Sequence, residues 1–184
     1  MARVTIVGDG PAGLSAALFL AKNGVDTVVF GQDATAMHYA HLHNYLGVED
    51  LGGTQFQQIA RQQVEEVGAT LTDAEVEAIE RSDDGSFTVR AGDRSTEADF
   101  VILAGGRQAV SFAEALGVER EGPHIPVDSE QRTAVEGLYA VGRAVRPERS
   151  QAIISAGAGA IAALDILSRE AGKDVHDWDT PEDS

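Results

Sequence analysis

Apolar residues change their spacing within the first thirty positions of the chain. Residues 4–7 form an unbroken run with β-branched side chains, which is typical of a buried strand. Between residues 14 and 21 apolar side chains recur at helical intervals, and Gly24 is a suitable helix end. A second apolar run follows at residues 26–30, so the pattern predicts a strand, a helix and a second strand parallel to the first.

Three glycines lie between the first predicted strand and its helix. Gly8 permits a sharp turn, Gly10 lets backbone approach a ligand, and Gly13 allows close packing of helix on strand. The following helix start offers unpaired N–H groups and a positive dipole end. This G-x-G-x-x-G context predicts a site for the pyrophosphate of a dinucleotide. The alternative is a glycine-rich turn kept only for packing.

The pattern after residue 50 predicts an α/β fold with a parallel sheet, a helix layer and a small β-meander layer. The predicted elements are a helix at 54–67, short β segments at 69–71, 75–79 and 86–90, a buried parallel strand at 97–104, a short helix at 112–116, a strand pair at 125–128 and 137–142, and a helix at 150–168. The short β segments argue against an ordinary NAD-dependent dehydrogenase, in which βα alternation continues. Gly157 and Gly159 allow the last helix to approach a sheet or a ligand.

The end of the second strand departs from the usual dinucleotide-binding pattern. An acidic residue for the ribose hydroxyls is expected about 20 residues past the glycines. Gly31 occupies that place, followed by Gln32 and Asp33. Asp33 either substitutes from further along the chain or serves as a cap.

Three of the five histidines fall within six residues, at positions 38, 41 and 43. His38 and His41 would share a face if the segment were helical, but no Asp or Glu lies at a helpful ligand spacing. We therefore predict no metal site, and interpret residues 34–53 as a loop that lines a pocket or an interface. No catalytic residue is assigned, although His41 or His43 is the best candidate proton donor.

Composition limits the classes of partner. The chain has 184 residues, no cysteine and a net charge of −16. We expect one domain at residues 1–170 and a frayed acidic tail at 171–184. Disulfide and thiolate chemistry are excluded within this chain, and the negative surface disfavours both nucleic acid and anionic membranes as partners. No apolar run in the sequence approaches the ~20 residues needed to span a membrane, so we expect a cytoplasmic protein, with the acidic surface typical of salt-loving organisms.

Several ordered motifs carry a family resemblance. Residues 8–13 match a phosphate loop, residues 44–47 resemble a segment that passes a flavin ring, and residues 99–106 stand where an Ala-Thr-Gly strand end is expected. Residues 132–142 resemble the run before a second FAD motif, and Gln151-Ala152 begins a small-residue helix. Together they resemble the FAD-binding domain of thioredoxin-reductase-like flavoproteins over nearly the whole chain.

The resemblance implies FAD as cofactor and a set of residues that would contact it. These residues are Gly8, Gly10, Pro11, Ala12, Gly13, Gly31, Gln32, Asn44, Val76, Ala104, Gly105, Gly106, Gly142, Arg143, Gln151 and Ala152.

Three departures from the family pattern bear on function. About twenty residues separate Gly106 from Pro126, where the family inserts an NAD(P)H-binding domain. The redox Cys-x-x-Cys is absent, and Arg143 stands where the second FAD motif has an aspartate. Arg143 either clamps the pyrophosphate or points to solvent.

Two functions from different classes fit these observations. The first is a minimal FAD-dependent oxidoreductase, with free NAD(P)H or a partner protein as electron source and no dithiol chemistry. The second is a non-catalytic nucleotide- or partner-binding module descended from a flavoprotein. In either case, the surface left by the absent domain favours a homo-oligomer.

Overall fold

A computed structural model describes residues 2–120 and 122–179. Its centre is a five-stranded parallel sheet in the order β10-β9-β1-β2-β5, flanked by helices, with a separate three-stranded antiparallel sheet β6-β7-β8. This is the α/β fold with a parallel sheet and a small β-meander that the sequence predicts. The strands are β1 Arg3–Val7, β2 Asp26–Gly31, β3 His41–Leu42, β4 Leu51–Gly52, β5 Thr70–Asp73, β6 Ala78–Arg81, β7 Phe87–Ala91, β8 Arg94–Ala98, β9 Phe100–Leu103 and β10 Leu138–Ala140. The α-helices are α1 Pro11–Lys22, α2 Gly53–Glu66, α3 Arg107–Ala115 and α4 Ala152–Ala171.

The first βαβ unit forms as predicted. β1 pairs in parallel with β2 from Arg3↔Asp26 to Val7↔Phe30, and with β9 on its other side. The β1 side chains from Val4 to Val7 are buried, as expected for a strand covered on both faces. The central strand therefore ends at the turn that contains Gly8.

Helix α4 lies directly on helix α1 beside the sheet. Gly159 makes this approach possible, because a Cβ there would lie 2.0 Å from the Ala12 carbonyl oxygen. The buried Asp165 carboxylate accepts hydrogen bonds from Arg132 Nε at 2.7 Å and Tyr139 Oη at 2.6 Å. Burial opposes ionisation of Asp165, but these hydrogen bonds outweigh it and lower its pKa.

The prediction that no segment reaches membrane-spanning length was wrong for helix α4. Its 20 residues are long and apolar enough to span a bilayer by length and composition alone. Packing on α1 and the buried Asp165 contacts identify it instead as a core helix of the α/β domain.

Several predicted boundaries were wrong. Residues 97–104 belong to two strands, because β8 folds back on β7 before β9 joins the parallel sheet. Of the segment 69–71, residues 70 and 71 belong to β5 at the edge of the parallel sheet, and 75–79 forms a strand only from Ala78. The exposed polar side chains of β8 gave no alternating apolar signal, which explains why this strand was missed.

Corrections are also needed beyond residue 106. Helix α3 begins at Arg107 rather than near Phe112, with Ala109, Phe112 and Ala113 buried at helical spacing. Residues 125–128 form no strand with β10, which instead makes an isolated bridge from Tyr139 to Arg132. The predicted frayed tail is partly docked, because Lys22 Nζ lies 3.3 Å from Asp177 Oδ2. Residues 180–184 of that tail lie outside the described residues.

Candidate cofactor site

Two clefts lie side by side at the carboxyl ends of the parallel strands. The main cleft has a volume of about 310 Å³ and the side cleft about 200 Å³. The main cleft is lined by Gly8, Asp9, Gly10, Pro11, Ala12, Ala34, Thr35, Ala36, Met37, Ala104, Gly105, Gly106, Gly142, Arg143, Ser150, Ala152 and Ser155. The side cleft is lined by Val7, Gly8, Asp9, Phe30, Gly31, Gln32, Ala34, Ala74, Glu75, Val76, Gly105, Gly106, Gln108 and Ala109. Ligands of open α/β sheets bind at this edge.

Most of the site residues predicted from the sequence come together here. Thirteen of them line one or both clefts: Gly8, Gly10, Pro11, Ala12, Gly31, Gln32, Val76, Ala104, Gly105, Gly106, Gly142, Arg143 and Ala152. Gly13 lies buried behind the turn, while Asn44 and Gln151 lie outside the lining of both clefts.

The glycines around the main cleft are needed for two different physical reasons. A Cβ on Gly8 would lie 2.9 Å from the Ala104 carbonyl carbon, and one on Gly13 would lie 1.9 Å from the Gly8 oxygen. The packing of the chain itself therefore requires both. A Cβ on Gly10 would meet nothing nearer than Thr35 Oγ1 at 3.5 Å, and one on Gly106 would meet nothing within 4 Å. These two glycines leave open space on the cleft side, as a cradle for a ligand requires.

Three helices begin at the main cleft without a side-chain cap. The N-cap residues are Gly10 for α1, Gly106 for α3 and Gln151 for α4, and none accepts a capping hydrogen bond. The N-terminal ends of three helices, whose first turns have no side-chain cap and carry a partial positive charge, therefore lie at one cavity. Such an arrangement favours a polyanionic ligand such as a pyrophosphate.

Arg143 is the basic residue of the main cleft lining. It is exposed, and the described residues give it no ion pair or side-chain hydrogen bond. Its guanidinium does not fill the cleft, which keeps its volume of about 310 Å³. The neighbouring Arg149 is also exposed but does not line the cleft.

Asp9, which the sequence analysis overlooked, lies between the two clefts. Its side chain is buried and forms an ion pair with Arg61, and its Oδ2 accepts a 2.9 Å hydrogen bond from the Asp33 N–H. The fully buried Gln57 side chain donates to the Asp9 carbonyl oxygen at 2.6 Å. Arg61 also contacts Asp73. Desolvation opposes the charge of Arg61, but Asp73 and Asp9 outweigh it and raise its pKa.

The Asp9 carboxyl occupies the space that a side chain at position 31 would need. A Cβ on Gly31 would lie 2.2 Å from Asp9 Cγ. A carboxylate is thus present at the end of β2, but it comes from the phosphate loop. Asp33 lines neither cleft: its backbone N–H donates to Asp9, its carbonyl oxygen accepts from His38 Nε2 at 2.7 Å, and its Oδ1 lies 3.2 Å from the same nitrogen. The suggestion that Asp33 substitutes for the ribose carboxylate stays a prediction. The sequence signal for this arrangement is an acidic residue between two loop glycines (Asp9) together with a glycine in place of the acidic residue at the strand end (Gly31). The carboxyl group has in effect moved from the end of β2 to the loop.

Two predicted flavin-side residues contact each other. Asn44 Nδ2 donates to Gln151 Oε1 at 3.0 Å, which joins the 34–53 segment to the start of α4. That segment contributes residues 34–37 to the main cleft, as the loop interpretation expects. His41 and His43 line neither cleft. The statement that no acidic residue is well placed near them was wrong, because Asp50 lies beside both.

The parallel sheet, the glycine-rich turn and the divided cleft define a dinucleotide-binding α/β domain. A family model described as pyridine nucleotide-disulphide oxidoreductase matches residues 50–160, which is more than half of the chain. The chain belongs to the pyridine nucleotide-disulphide oxidoreductase family. A second model, described as an FAD binding domain, matches residues 1–43 and identifies FAD as the cofactor. No curated protein sequence matches the chain significantly.

Solved structures of thioredoxin reductases share the fold. A thioredoxin reductase from Gloeobacter violaceus aligns with a TM-score of 0.87 at 18% identity, over 97% of this chain and 99% of the other. The atypical thioredoxin reductase TRi from Desulfovibrio vulgaris Hildenborough aligns with a TM-score of 0.85 at 21% identity, over 94% of this chain and 99% of the other. A ferredoxin-flavin thioredoxin reductase from Clostridium acetobutylicum aligns with a TM-score of 0.80 at 18% identity, over 94% of this chain and 99% of the other. At these identities the likeness shows the fold alone.

The residues present fit a dinucleotide cofactor. The unfilled space at Gly10 and Gly106 and the three uncapped helix starts suit its pyrophosphate. The side cleft, which Asp9 also lines, adjoins this position and has room for further ligand atoms.

Proposed function

We propose that this chain is an FAD-dependent oxidoreductase without dithiol chemistry, supplied with electrons by free NAD(P)H or by a partner protein. The observation that supports it most is the open main cleft, in which a glycine cradle and three helix N-termini converge. A bound flavin supplies hydride and electron transfer, and the protein supplies binding and orientation.

The roles of the site residues follow from their positions. The Gly8–Gly13 turn and the start of α1 hold the pyrophosphate, while Gly105 and Gly106 allow it to pass between the two clefts. Arg143 binds a phosphate oxygen, since guanidinium N–H groups match phosphate geometry. Gln32 and Val76 lie in the side cleft, which takes the adenosine part.

The start of α4 orients the other end of the cofactor. Ala152 lines the main cleft, and the preceding Gln151 side chain is held by Asn44. The positive end of this 20-residue helix stabilises negative charge on a group bound beside it. In this role Asn44 and Gln151 orient the ligand, and neither transfers a proton.

The electron source is proposed from what the chain contains. In the segment from Gly106 to Pro126 the described residues form α3 and no nucleotide-binding domain, and the chain has no cysteine. Reducing equivalents therefore reach the site from outside this chain, by free NAD(P)H or by a redox protein. The name of the similar ferredoxin-flavin thioredoxin reductase gives a precedent for a protein partner in this fold.

A non-catalytic module is the second candidate. It is favoured by the altered strand end, where Gly31 and Asp9 replace the usual acidic side chain of β2. Such a module binds a smaller nucleotide or none, and transfers no electrons. Anaerobic mixing of the purified, FAD-loaded protein with NADH or NADPH separates the two functions, because only the oxidoreductase bleaches the flavin absorbance. A folded protein that takes up no added FAD supports the module, whereas one that binds FAD but stays yellow with both nucleotides and with reduced ferredoxin is a flavin store rather than an oxidoreductase.

Three further expectations belong to this proposal. Residues 1–170 act as one FAD-binding domain, followed by an acidic segment at 171–184. The chain forms a homo-oligomer, for which the exposed Ile153, Ile154 and Ile161 on α4 provide an apolar surface. The protein works in the cytoplasm of a salt-adapted cell, as its charge of −16 suggests. Light scattering across a range of KCl concentrations checks the oligomer and the salt requirement together.

A further inference from the structure

A short hairpin outside both clefts carries three metal-ligating side chains. Strand β3 pairs antiparallel with β4 through His41↔Gly52 and Leu42↔Leu51. Leu42 is buried among residues that include Met37 and Ala152, so the hairpin is anchored beside the main cleft. Its other side is exposed.

The exposed side brings His41, His43 and Asp50 together. One ligand atom of each lies within 4.8 Å of the others. The two imidazole rings stack with their centroids 4.4 Å apart, and His41 Nε2 contacts an Asp50 carboxylate oxygen. Continuation of the β3–β4 register places position 50 opposite position 43, so the backbone itself brings the carboxylate to the histidine pair.

We propose that His41, His43 and Asp50 form a binding site for a divalent transition-metal ion of the Zn²⁺, Ni²⁺ and Cu²⁺ class. Imidazole nitrogen is a preferred ligand for these ions, and a carboxylate oxygen completes many of their sites. Metal–ligand bonds of about 2.0–2.2 Å hold ligand atoms about 3–4 Å apart, so small rotations of three exposed side chains suffice. Water occupies the remaining coordination positions.

The donor set selects among cations. Two nitrogen ligands disfavour Mg²⁺ and Ca²⁺, which require mainly oxygen ligands. The net charge of −16 raises the local concentration of every cation, but it does so without regard to ligand type. Preference for Zn²⁺ over Mg²⁺ therefore reports the histidines rather than the acidic surface.

A bound ion would close the loop that carries Asn44. This residue follows His43 directly, and its side chain reaches Gln151 at the start of α4. Coordination by positions 41, 43 and 50 fixes both ends of the intervening segment. The metal site is thus a structural clip beside the proposed flavin position, with no assigned catalytic role.

Calorimetric titration of the tag-free, FAD-free protein with ZnCl₂ tests this proposal. We expect one ion per chain, and retention of that ion in the presence of excess Mg²⁺. His41→Ala, His43→Ala and Asp50→Asn each weaken Zn²⁺ binding at least about tenfold, because even loss of an outer partner typically costs about 10–100-fold. Glu49→Gln and His176→Ala are matched controls, since both residues are exposed and lie outside the cluster. Both controls bind Zn²⁺ like the unaltered chain.

A second readout excludes simple surface binding. Co²⁺ bound by the two imidazoles gives visible absorbance that changes in His41→Ala and His43→Ala. The proposal is overturned if no ion binds, if Mg²⁺ competes equally, or if the cluster variants bind Zn²⁺ like the controls while their circular dichroism shows a folded protein. FAD plays no part in these titrations, so their outcome is independent of the proposed redox function.

Discussion

The main cleft and the side cleft differ in how closely they follow the dinucleotide-binding pattern. In the main cleft the glycine turn and the starts of α1 and α4 lie close to where the sequence predicts them, while the start of α3 lies earlier than predicted. In the side cleft the strand-end carboxylate is missing and Asp9 fills the space above Gly31. The first feature depends on backbone geometry, which the glycine motif records. The second depends on one side chain, and here the carboxyl at the end of β2 comes from Asp9 of the first turn.

The largest expected effect separates packing glycines from ligand glycines within one turn. Gly13→Ala places a Cβ 1.9 Å from the Gly8 oxygen, so we expect it to lower the free energy of unfolding by about 3 kcal/mol or more. Gly10→Ala meets open space and should leave stability nearly unchanged while weakening FAD binding at least tenfold. Denaturant unfolding and FAD titration of both variants check this contrast. Equal stability losses would mean that Gly10, too, is kept for packing.

A double-mutant cycle tests the exchange at the strand end. Gly31→Ala forces its Cβ against the Asp9 carboxyl, and we expect a cost of about 2 kcal/mol. The Asp9 Cβ itself would lie 2.5 Å from the new Cβ, so the whole side chain must be removed to relieve the clash. In an Asp9→Gly background that clash is absent, and Gly31→Ala should become nearly neutral. Direct contacts of this kind typically give coupling energies of about 0.5–3 kcal/mol. If urea unfolding showed that the two single substitutions lower the free energy of unfolding additively in the double variant, Asp9 would not occupy this space.

Arg143 tests the charge of the main cleft. Arg143→Ala should raise the Kd for FAD about tenfold, because a hydrogen bond to a charged group contributes about 1.5 kcal/mol. Arg149→Ala serves as the matched control, being exposed and outside the lining. Fluorescence titration with FAD measures both. Identical affinities of the two variants would place the Arg143 guanidinium in solvent.

The smallest expected effect concerns salt. Raising KCl from about 0.1 to 1 M shortens the Debye length from about 10 to 3 Å, so the Arg143→Ala difference in FAD affinity should shrink. The Asp9–Gly31 coupling is steric and should stay constant. FAD titrations of the Arg143→Ala variant and the Asp9–Gly31 double-mutant cycle, each carried out at both salt concentrations, measure these two responses. A coupling that falls with salt would point to electrostatics rather than space at the strand end.

Much of the fold was predictable because the parallel sheet leaves strong local signals. The β-branched runs of β1 and β2 and the helical spacing of α1 come from burial on both faces of the sheet. Strand β8 gave no such signal, because its polar side chains are mostly exposed and only its pairing with β7 makes it a strand. The start of α3 was missed for a similar reason, since Arg107 and Gln108 are exposed.

The candidate site was predictable where backbone conformation decides and less so where side chains from distant segments meet. Gly8 and Gly13 follow from local geometry, which the sequence motif records. The contact between Asp9 and Arg61 joins the first loop to α2, and no local pattern announces it. Likewise, Asp50 reaches His41 only because β3 and β4 form a hairpin.

Titration of the tag-free protein with FAD in high salt, followed by absorbance, tests the central claim most directly. The account predicts saturable binding of one FAD per chain, with flavin bands that shift on binding, and weakened uptake by folded Gly10→Ala protein. A folded, colourless protein that takes up no added FAD would contradict the account and leave only the dinucleotide-binding fold.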